Sequence, residues 1–259
     1  MKLLIDMGNQ RTKLVSSERL TKNLGAPPSV VNNDSDTFIQ EVSICLDKIG
    51  EPDAVWVASV SDPQTEQCLV NSVFQRWEII PKFLRSADRN NGVVNHYANP
   101  AQLGVDRWAA LIGAKYLAQE KSVIVVDAGT AVTLDYIDAE GNFRGGVIFP
   151  GVRGMQKALN MQAEKITIPP PCDDGMSGLL TMMNTDTESA VKNGAELAVT
   201  AAIESGIRRL LTSQDPAAQI VITGGDSKRI IELSDCPMRL EANLVLLGVN
   251  VISEEVVGV

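Results

Sequence analysis

Two stretches of the sequence repeat one pattern that is suited to holding phosphate groups. LLIDMGNQ, around Asp6, and VVDAGTAV, around Asp127, each contain an apolar run, an Asp-x-Gly and a small polar residue. A carboxylate at a strand end can hold a metal ion or a water, and the glycine lets the backbone turn sharply and approach a ligand. Two such turns that faced each other would clamp a nucleotide polyphosphate. The alternative is a pair of ordinary hairpins with Asp-x-Gly turns; the repetition favours phosphate binding.

A third glycine-containing stretch lies near the end of the chain. VITGGDS places Gly224 and Gly225 after an apolar run, where the backbone could pass close to a flat base. A simple strand-to-helix turn explains this stretch equally well. Neither GxxxxGK[ST] nor GxGxxG occurs in the sequence, so the two commonest nucleotide-binding loops are absent.

Asp106 and Arg107 begin the strongest helical pattern in the chain. In isolation, Asp106 fits an N-cap and Arg107 a solvated charge. A carboxylate at a helix N-terminus is stabilised as an anion, which makes it a weak base.

Apolar periodicity predicts strands and helices in alternation, which indicates an α/β fold. The predicted strands are residues 2–5, 12–16, 54–61, 78–81, 122–127, 131–137, 145–148 and 218–223. The predicted helices are residues 37–49, 66–77, 106–120, 154–159, 188–211 and 226–233, with 241–251 either a helix or a strand. Residues 90–100 and 168–178 are predicted to be loops, the second containing Cys172.

The repeated Asp-x-Gly pattern also predicts the domain organisation. The two aspartates are about one domain length apart, which indicates two related halves. We expect a first domain over residues 1–117 and a second over residues 118–240. A final helix over residues 241–259 is expected to pack back on the first domain.

Composition excludes several classes of function. The chain has 259 residues, a net charge of −9 and 44% apolar residues, which fits a folded protein without a broad basic face for nucleic acid or anionic membrane. Its four cysteines are far apart and it has one histidine, which disfavours a zinc site. Because no apolar run reaches the roughly 18–20 residues of a membrane span, we expect a cytosolic protein with reduced thiols.

Six stretches in order along the chain resemble the type III pantothenate kinases, within the actin, sugar-kinase and Hsp70 ATPase superfamily. They are DMGNQRTK, YANPAQLGVDRWAALIGA, VVDAGTAVTLDYID, GGVIFPGVRGM, DTESAVKNG and TGGDS. The patterns YxxPxxLGxDR and DAGTAxTxD are the most discriminating. The resemblance implies two related actin-like (ribonuclease H-like) domains with the active site in the cleft between them, and typically a homodimer.

The resemblance also implies a reaction: transfer of the γ-phosphoryl group of ATP, accompanied by Mg²⁺, to pantothenate, with Asp106 as the general base. This reaction gives 4′-phosphopantothenate and is the first step toward coenzyme A. The residues implied to bind pantothenate are Tyr97, Gly104, Val105, Asp106, Arg107 and Thr187. The residues implied to contact ATP are Asp6, Met7, Gly8, Asn9, Gln10, Arg11, Thr12, Lys13 and Thr130. Asp127 is implied to hold a monovalent cation, K⁺ or NH₄⁺, and Asp6 is associated with Mg²⁺ through water.

Two positions depart from the family pattern. Asp186 stands where the family usually has Asn before Thr187, and Gln10 replaces the more usual Thr. Taken locally, Thr187 also fits an N-cap. Two alternative functions stay open: another small-molecule kinase of the superfamily, or a regulatory binding protein like the related accessory factors for virulence-gene transcription. The intact Asp6, Asp106 and Asp127 favour catalysis.

Overall fold

The computed structural model describes residues 1–33, 37–162 and 180–255. The strands are β1 (Lys2–Met7), β2 (Arg11–Ser16), β3 (Ser29–Asn32), β4 (Ala54–Ser59), β5 (Lys82–Phe83), β6 (Arg89–Asn90), β7 (Val93–Asn95), β8 (Val123–Ala128), β9 (Ala131–Ile137), β10 (Asn142–Pro150), β11 (Gln219–Thr223) and β12 (Arg239–Leu240). The helices are α1 (Ser17–Lys22), α2 (Phe38–Ile49), α3 (Pro63–Trp77), α4 (Val105–Ala118), α5 (Val152–Gln162), α6 (Thr187–Ser213), α7 (Ser227–Leu233) and α8 (Leu244–Glu255).

The chain divides into two compact units. The first comprises residues 1–119, residues 141–143 and the chain from Asn243 onward, and the second comprises residues 120–140 and 144–242. Across the described residues, no helix is both long enough and apolar enough to cross a membrane.

The first unit contains a five-stranded sheet with the order β3-β2-β1-β4-β5. β1 is antiparallel to β2 and parallel to β4, so it has a neighbour on both sides. Its side chains at Leu3, Leu4 and Ile5 are fully buried, which explains why β1 reads as a continuous apolar run rather than an alternating one. Buried residues of α2 and α3, including Val42 and Leu69, complete this core.

The second unit contains strands in the order β12-β11-β8-β9-β10. Its central strand β8 is antiparallel to β9 and parallel to β11. α6 buries Val199, Ile203 and Ile207, at the four-residue spacing of one helix face, in the core that β8 and β9 also line.

The two Asp-x-Gly stretches occupy matching positions in the two units. Asp6 pairs with Lys13 in the hairpin and with Ala58 on the parallel strand. Asp127 likewise pairs with Thr133 in its hairpin and with Thr223 on the parallel strand. The turns are thus hairpin turns, of three residues after β1 and two after β8. The α/β fold predicted from the repeated pattern is confirmed.

The last described helix packs against α4 within the first unit. Glycines allow this close approach: a Cβ atom on Gly113 would lie 2.6 Å from the carbonyl oxygen of Leu244, and one on Gly248 would overlap the carbonyl of Ala109. The backbones are therefore in direct contact. The segment left open as a helix or a strand is a helix, and its Leu and Val side chains are buried on this contact.

Two local predictions were wrong. The strand predicted over residues 78–81 is absent because Glu78 ends α3 in the left-handed conformation with φ 57°, and the strand begins later, at Lys82. Residues 90–100, predicted as a loop, contain β7, which forms a hairpin with β6. Asn91 and Gly92 both have positive φ, as a two-residue hairpin turn requires. The predicted loop at 168–178, with Cys172, lies outside the described residues.

Candidate active site

The turn between β1 and β2 has an exposed tip, and the strand residues on either side of it are buried. Asn9 and Arg11 are exposed, whereas Met7 and Thr12 are fully buried. The backbone N–H of Gly8 donates to the carbonyl oxygen of Arg11 at 3.0 Å and closes the turn. Of the residues assigned to ATP contact, those at the tip are accessible to a ligand, and Met7 contributes its side chain to the core.

Asn33, a residue that the sequence did not single out, holds this turn from the side. Its side-chain nitrogen donates to the carbonyl oxygen of Gly8 at 2.7 Å, and its side-chain oxygen accepts from the Thr12 hydroxyl at 2.7 Å. Its backbone N–H donates to the carbonyl oxygen of Gln10 at 2.9 Å. The only signal in the sequence is that a polar residue follows the strand beside the hairpin.

Asp6 is a buried carboxyl group with charged neighbours. Nζ of Lys13 lies 3.6 Å from its Oδ2. Burial raises the pKa of Asp6, the Lys13 charge lowers it, and the charge of Asp106 raises it again. The third effect shows that Asp6 and Asp106, distant in sequence, are electrostatic neighbours in the first unit. A bound cation, such as the Mg²⁺ that accompanies a nucleotide, would relieve this like-charge repulsion.

Asp106 lies in the first turn of α4, and its carboxylate is close in space to Gly104, which has no side chain. The N-cap of the helix is Gly104, so the interpretation of Asp106 as an N-cap is wrong. Oδ1 of Asp106 accepts the backbone N–H of Arg107 at 2.7 Å. A Cβ atom on Gly104 would lie 2.6 Å from that oxygen, so the glycine leaves the carboxylate its space. Val105 is the first helical residue, and Asp106 stays partly exposed.

Arg107, Tyr97 and Phe143 form one cluster in the first unit. Nη1 of Arg107 donates to the Tyr97 hydroxyl at 3.0 Å, and the guanidinium lies over both rings, 5.8 Å and 6.0 Å from their centroids. The rings stack on each other at 5.6 Å. Arg107 is buried, so it is held rather than solvated. Phe143 was missed in the sequence because a buried aromatic residue at a strand start reads as core.

The turn between β8 and β9 is packed against two further glycine turns in the second unit. The N–H of Gly151 donates to the carbonyl of Thr130 at 3.0 Å, and the N–H of Asp226 donates to the carbonyl of Ala128 at 2.9 Å. Gly224 has φ 95°, and a Cβ atom there would lie 2.5 Å from Oδ1 of Asp127. Asp127 is partly buried and Thr130 is exposed. The carboxylate and the carbonyls around it are the oxygen donors that hard cations prefer.

Thr187 is the first residue of α6, and the helix cap is its neighbour. Oδ1 of Asp186 accepts the N–H of Ser189 at 2.8 Å, so Asp186 rather than Thr187 is the N-cap. Hydrogen bonds from Ser189 lower the pKa of Asp186. Because Asn and Asp cap helices equally well, the departure from the family residue preserves this local structure. Thr187 lines an open groove of about 490 Å³ with Leu159 and other residues of this unit.

The predicted residues fall into several local groups. In the first unit, Asp6 and Lys13 lie at the base of the β1–β2 turn, and Arg107 contacts Tyr97 directly after Asp106. In the second unit, Asp127 and Thr130 form one group, and Thr187 lies at the start of α6. Among the described residues, no set of three or more His, Cys, Asp or Glu side chains is arranged to hold a metal ion without help from a ligand.

Comparisons with known proteins identify the family that this chain resembles. Residues 2–209 match the family described as type III pantothenate kinase. The type III pantothenate kinase of Nitrosococcus oceani is 29% identical over 98% of this chain and 94% of its own length. That of Burkholderia multivorans is 30% identical over 98% of this chain and 96% of its own length.

A solved structure supports the fold independently of these sequences. A protein of Campylobacter jejuni, described as a Baf family transcriptional activator, superimposes with a TM-score of 0.58 at 20% identity. The match covers 99% of this chain and all of that one. At this identity the likeness concerns the fold alone. The predicted fold class, α/β with two related actin-like halves, is confirmed.

Proposed function

The chain belongs to the type III pantothenate kinase family, and from that premise we propose that it phosphorylates pantothenate with ATP. The product is 4′-phosphopantothenate, in the first step toward coenzyme A. The observation that carries the proposal is the buried guanidinium of Arg107, which follows Asp106 in the first turn of α4 and donates to the Tyr97 hydroxyl at 3.0 Å. A carboxylate-binding group beside the proposed base fits an acceptor that carries both a carboxylate and a hydroxyl group.

Arg107 and Tyr97 are proposed to bind the pantothenate carboxylate. A guanidinium presents paired N–H donors that match a carboxylate. The ring stack with Phe143 and the bond to the Tyr97 hydroxyl hold Arg107 in one orientation before the substrate arrives. Such pre-organisation reduces the ordering cost of binding. Thr187 is proposed to make a further contact, from the groove at the start of α6.

Asp106 is proposed to orient the attacking hydroxyl and to accept its proton. The hydroxyl oxygen forms a bond to the γ-phosphorus while the bond to the bridging oxygen of ADP breaks, and the proton passes to the carboxylate. Because the transition state is loose, the proton leaves late and orientation matters most. The space beside Gly104 and the bond from the Arg107 N–H fix Oδ1 of Asp106 for this task.

The ATP phosphates are proposed to be held by the two hairpin turns and by cations. The residues proposed for the first turn are Asp6, Met7, Gly8, Asn9, Gln10, Arg11, Thr12 and Lys13, with Thr130 on the second. Mg²⁺ accompanies ATP and neutralises its β- and γ-oxygens; Asp6 would hold it through water. Asp127 would hold K⁺ or NH₄⁺, since its surroundings offer oxygen donors. That cation would supply positive charge near the phosphates.

A homodimer is proposed from the second unit's surface. Met161, Met182 and Met183 expose 67–88% of their surface, and the groove that holds Thr187 lies among nearby residues. Apolar side chains this exposed fit a face that a second copy covers. Because ATP is the donor, we expect the enzyme to work in the cytoplasm. Light scattering on purified protein tests the dimer: twice the mass of one chain is expected, and a monomer would exclude it.

The experiment that tests the function is ADP release from purified protein with ATP, Mg²⁺ and NH₄⁺, with and without pantothenate. Asp106→Asn is compared with Asp235→Asn, the same change at an exposed position. We expect pantothenate-dependent turnover that falls about 10²–10⁴-fold in Asp106→Asn and is unchanged in Asp235→Asn. Both variants should still bind ATP.

Two results would contradict the proposal in different ways. Turnover with other hydroxyl compounds but without pantothenate would indicate another small-molecule kinase of the superfamily. ATP binding without turnover on any acceptor would indicate a regulatory binding protein. Omission of NH₄⁺ and K⁺ in the same assay tests the cation: activity is expected to fall, and Asp127→Asn should lose the response.

A further inference from the structure

Asn33 makes several hydrogen bonds to the β1–β2 turn that the proposed reaction leaves unused. Its side chain bonds the carbonyl of Gly8 and the hydroxyl of Thr12, both at 2.7 Å, and its backbone bonds the carbonyl of Gln10 at 2.9 Å. Its Nδ2 also lies 3.4 Å from Oγ of Ser61, just after β4. Asn33 thus connects the β1–β2 turn to the end of β3 and, through Ser61, to the segment that follows β4.

The direction of these bonds determines which side of the turn a ligand meets. A trans peptide points its C=O and the following N–H in opposite directions. Because the Gly8 carbonyl points at Asn33, the N–H of Asn9 points away from Asn33. Carbonyl oxygens repel phosphate oxygens, whereas N–H groups bind them. Asn33 therefore binds the carbonyl oxygens of Gly8 and Gln10 on one side of the turn. The N–H of Asn9, at the exposed tip, faces the opposite side, where a ligand can reach it.

Thr12 belongs to the same arrangement. Its side chain is fully buried, and its hydroxyl donates to Oδ1 of Asn33. That bond fixes the orientation of the Asn33 amide, because Oδ1 is occupied as an acceptor and Nδ2 must then face the Gly8 carbonyl. The hydroxyl of Thr12 thus stabilises the turn through its hydrogen bond to Asn33.

We propose that Asn33 is a positioning residue for the nucleotide, holding the β1–β2 turn in its phosphate-binding conformation through the carbonyls of Gly8 and Gln10. The proposal rests on the proposed function only in that this turn binds ATP. It predicts that substitution of Asn33 weakens nucleotide binding and leaves the pantothenate side unaffected. If Asn33 had only a structural role, its substitution would lower stability without a selective loss of nucleotide binding.

The test uses two variants of the full chain. Asn33→Ala removes both side-chain bonds. Asn33→Asp keeps the shape and the acceptor for Thr12 but replaces the donor by an oxygen that repels the Gly8 carbonyl. We expect each to raise the Kd for Mg²⁺–ADP, measured by calorimetry, and the KM for ATP by about tenfold, which corresponds to about 1.4 kcal/mol and lies within the range for loss of a hydrogen bond. The KM for pantothenate should not change.

Asn23→Ala is the matched control. It also removes an amide that bonds a backbone group, the N–H of Gly25 at 3.0 Å, but at the end of α1, and it should leave the Kd for Mg²⁺–ADP unchanged. An unchanged Kd in folded Asn33→Asp would overturn the proposal. So would a lower kcat with both KM values unchanged, which is the result of a merely structural role.

The results also separate this proposal from the proposed function. If the wild type binds Mg²⁺–ADP, with the Asn33 effect, but does not turn over pantothenate, then the positioning role holds and the assigned substrate fails. If the wild type does not bind Mg²⁺–ADP, the turn is not a phosphate site and both proposals fail.

Discussion

The hydroxyl group of Tyr97 accepts a hydrogen bond from the guanidinium of Arg107 at 3.0 Å, and the same guanidinium lies over the Tyr97 ring. The two residues are ten positions apart, one before α4 and one in its first turn. Phe143 contacts both: its ring stacks on that of Tyr97 with centroids 5.6 Å apart, and the guanidinium lies 6.0 Å from its centroid. The ring system fixes Arg107 in place, and the hydroxyl sets its rotation.

Tyr97→Phe tests this division of roles. The change keeps the ring stack and removes the bond to Arg107, so the guanidinium gains freedom. We expect the KM for pantothenate to rise about three- to tenfold, with the KM for ATP unchanged. Tyr116→Phe, at an exposed position of α4, should change neither. Steady-state kinetics with each substrate varied measures both, and an equal rise in the two KM values would contradict the prediction.

Gly104→Ala should misplace the carboxylate of Asp106. The backbone angles of Gly104, φ −53° and ψ 134°, suit alanine, so the new methyl group is opposed only by Oδ1 of Asp106. A displacement of this kind is expected to lower kcat about 10–100-fold with little loss of stability. Gly25→Ala, where the new Cβ would lie 3.4 Å from an Asn23 oxygen, is the control.

Kinetics and a thermal melt of Gly104→Ala distinguish the two roles of this glycine. A rise in the KM for pantothenate with unchanged kcat would show that Gly104 acts on the substrate directly and not through Asp106.

Asp6→Asn should stabilise the protein while it removes activity. Burial raises the pKa of Asp6, so the folded chain holds this proton more tightly than the unfolded chain. The unfolded state then loses the proton first as pH rises, and stability falls between the ordinary and the raised pKa. The Tm of the variant should exceed that of the wild type at about pH 8, and the gain should shrink as pH falls toward the ordinary carboxyl pKa of about 3.9.

Melts from about pH 8 down to about pH 4, compared with Asp235→Asn, measure this effect. A gain that does not depend on pH would mean that the buried charge of Asp6 is not its cause. A lower Tm at pH 8 would mean that the Lys13 interaction outweighs burial.

Arg229→Met should strongly destabilise the second unit. Arg229 holds Oε2 of Glu196 at 2.8 Å, and Glu196 is 1% exposed. Removal of the cation leaves a buried carboxylate unpaired, which costs about 3–5 kcal/mol. Arg208→Met is the matched control, because Arg208 is 71% exposed and lies 3.9 Å from Glu204. Urea unfolding measures both, and equal losses would contradict the assignment.

The parts of the fold that the sequence revealed are those with a local signal. The apolar run before Asp6, the glycine after it and the second copy around Asp127 were enough to predict two strand–turn–strand units in two related halves. The helix after Gly104 was visible from its apolar spacing. Its first residue was not, because Asp106 is a good N-cap by type, yet Gly104 is the N-cap and Asp106 lies two positions further into the helix.

The remaining residues act through contacts that sequence spacing does not encode. Asn33 reaches back 25 positions to Gly8, and Phe143 reaches 46 positions back to Tyr97. Neither lies in a recognisable motif. The hairpin at Asn91 and Gly92 did have a local signal, since Asn-Gly is the strongest two-residue hairpin turn. The many polar residues around it were read as a loop instead.

The contact between Gly113 and Gly248 has a consequence for how the first unit folds. α4 carries Asp106 in its first turn, and it packs on α8, with the two contacting glycines 135 positions apart in the sequence. Closing so long a loop costs conformational entropy before the contact returns any packing energy. The helix that carries the proposed base therefore reaches its final position only after the hairpins, whose contacts are local, can already have formed.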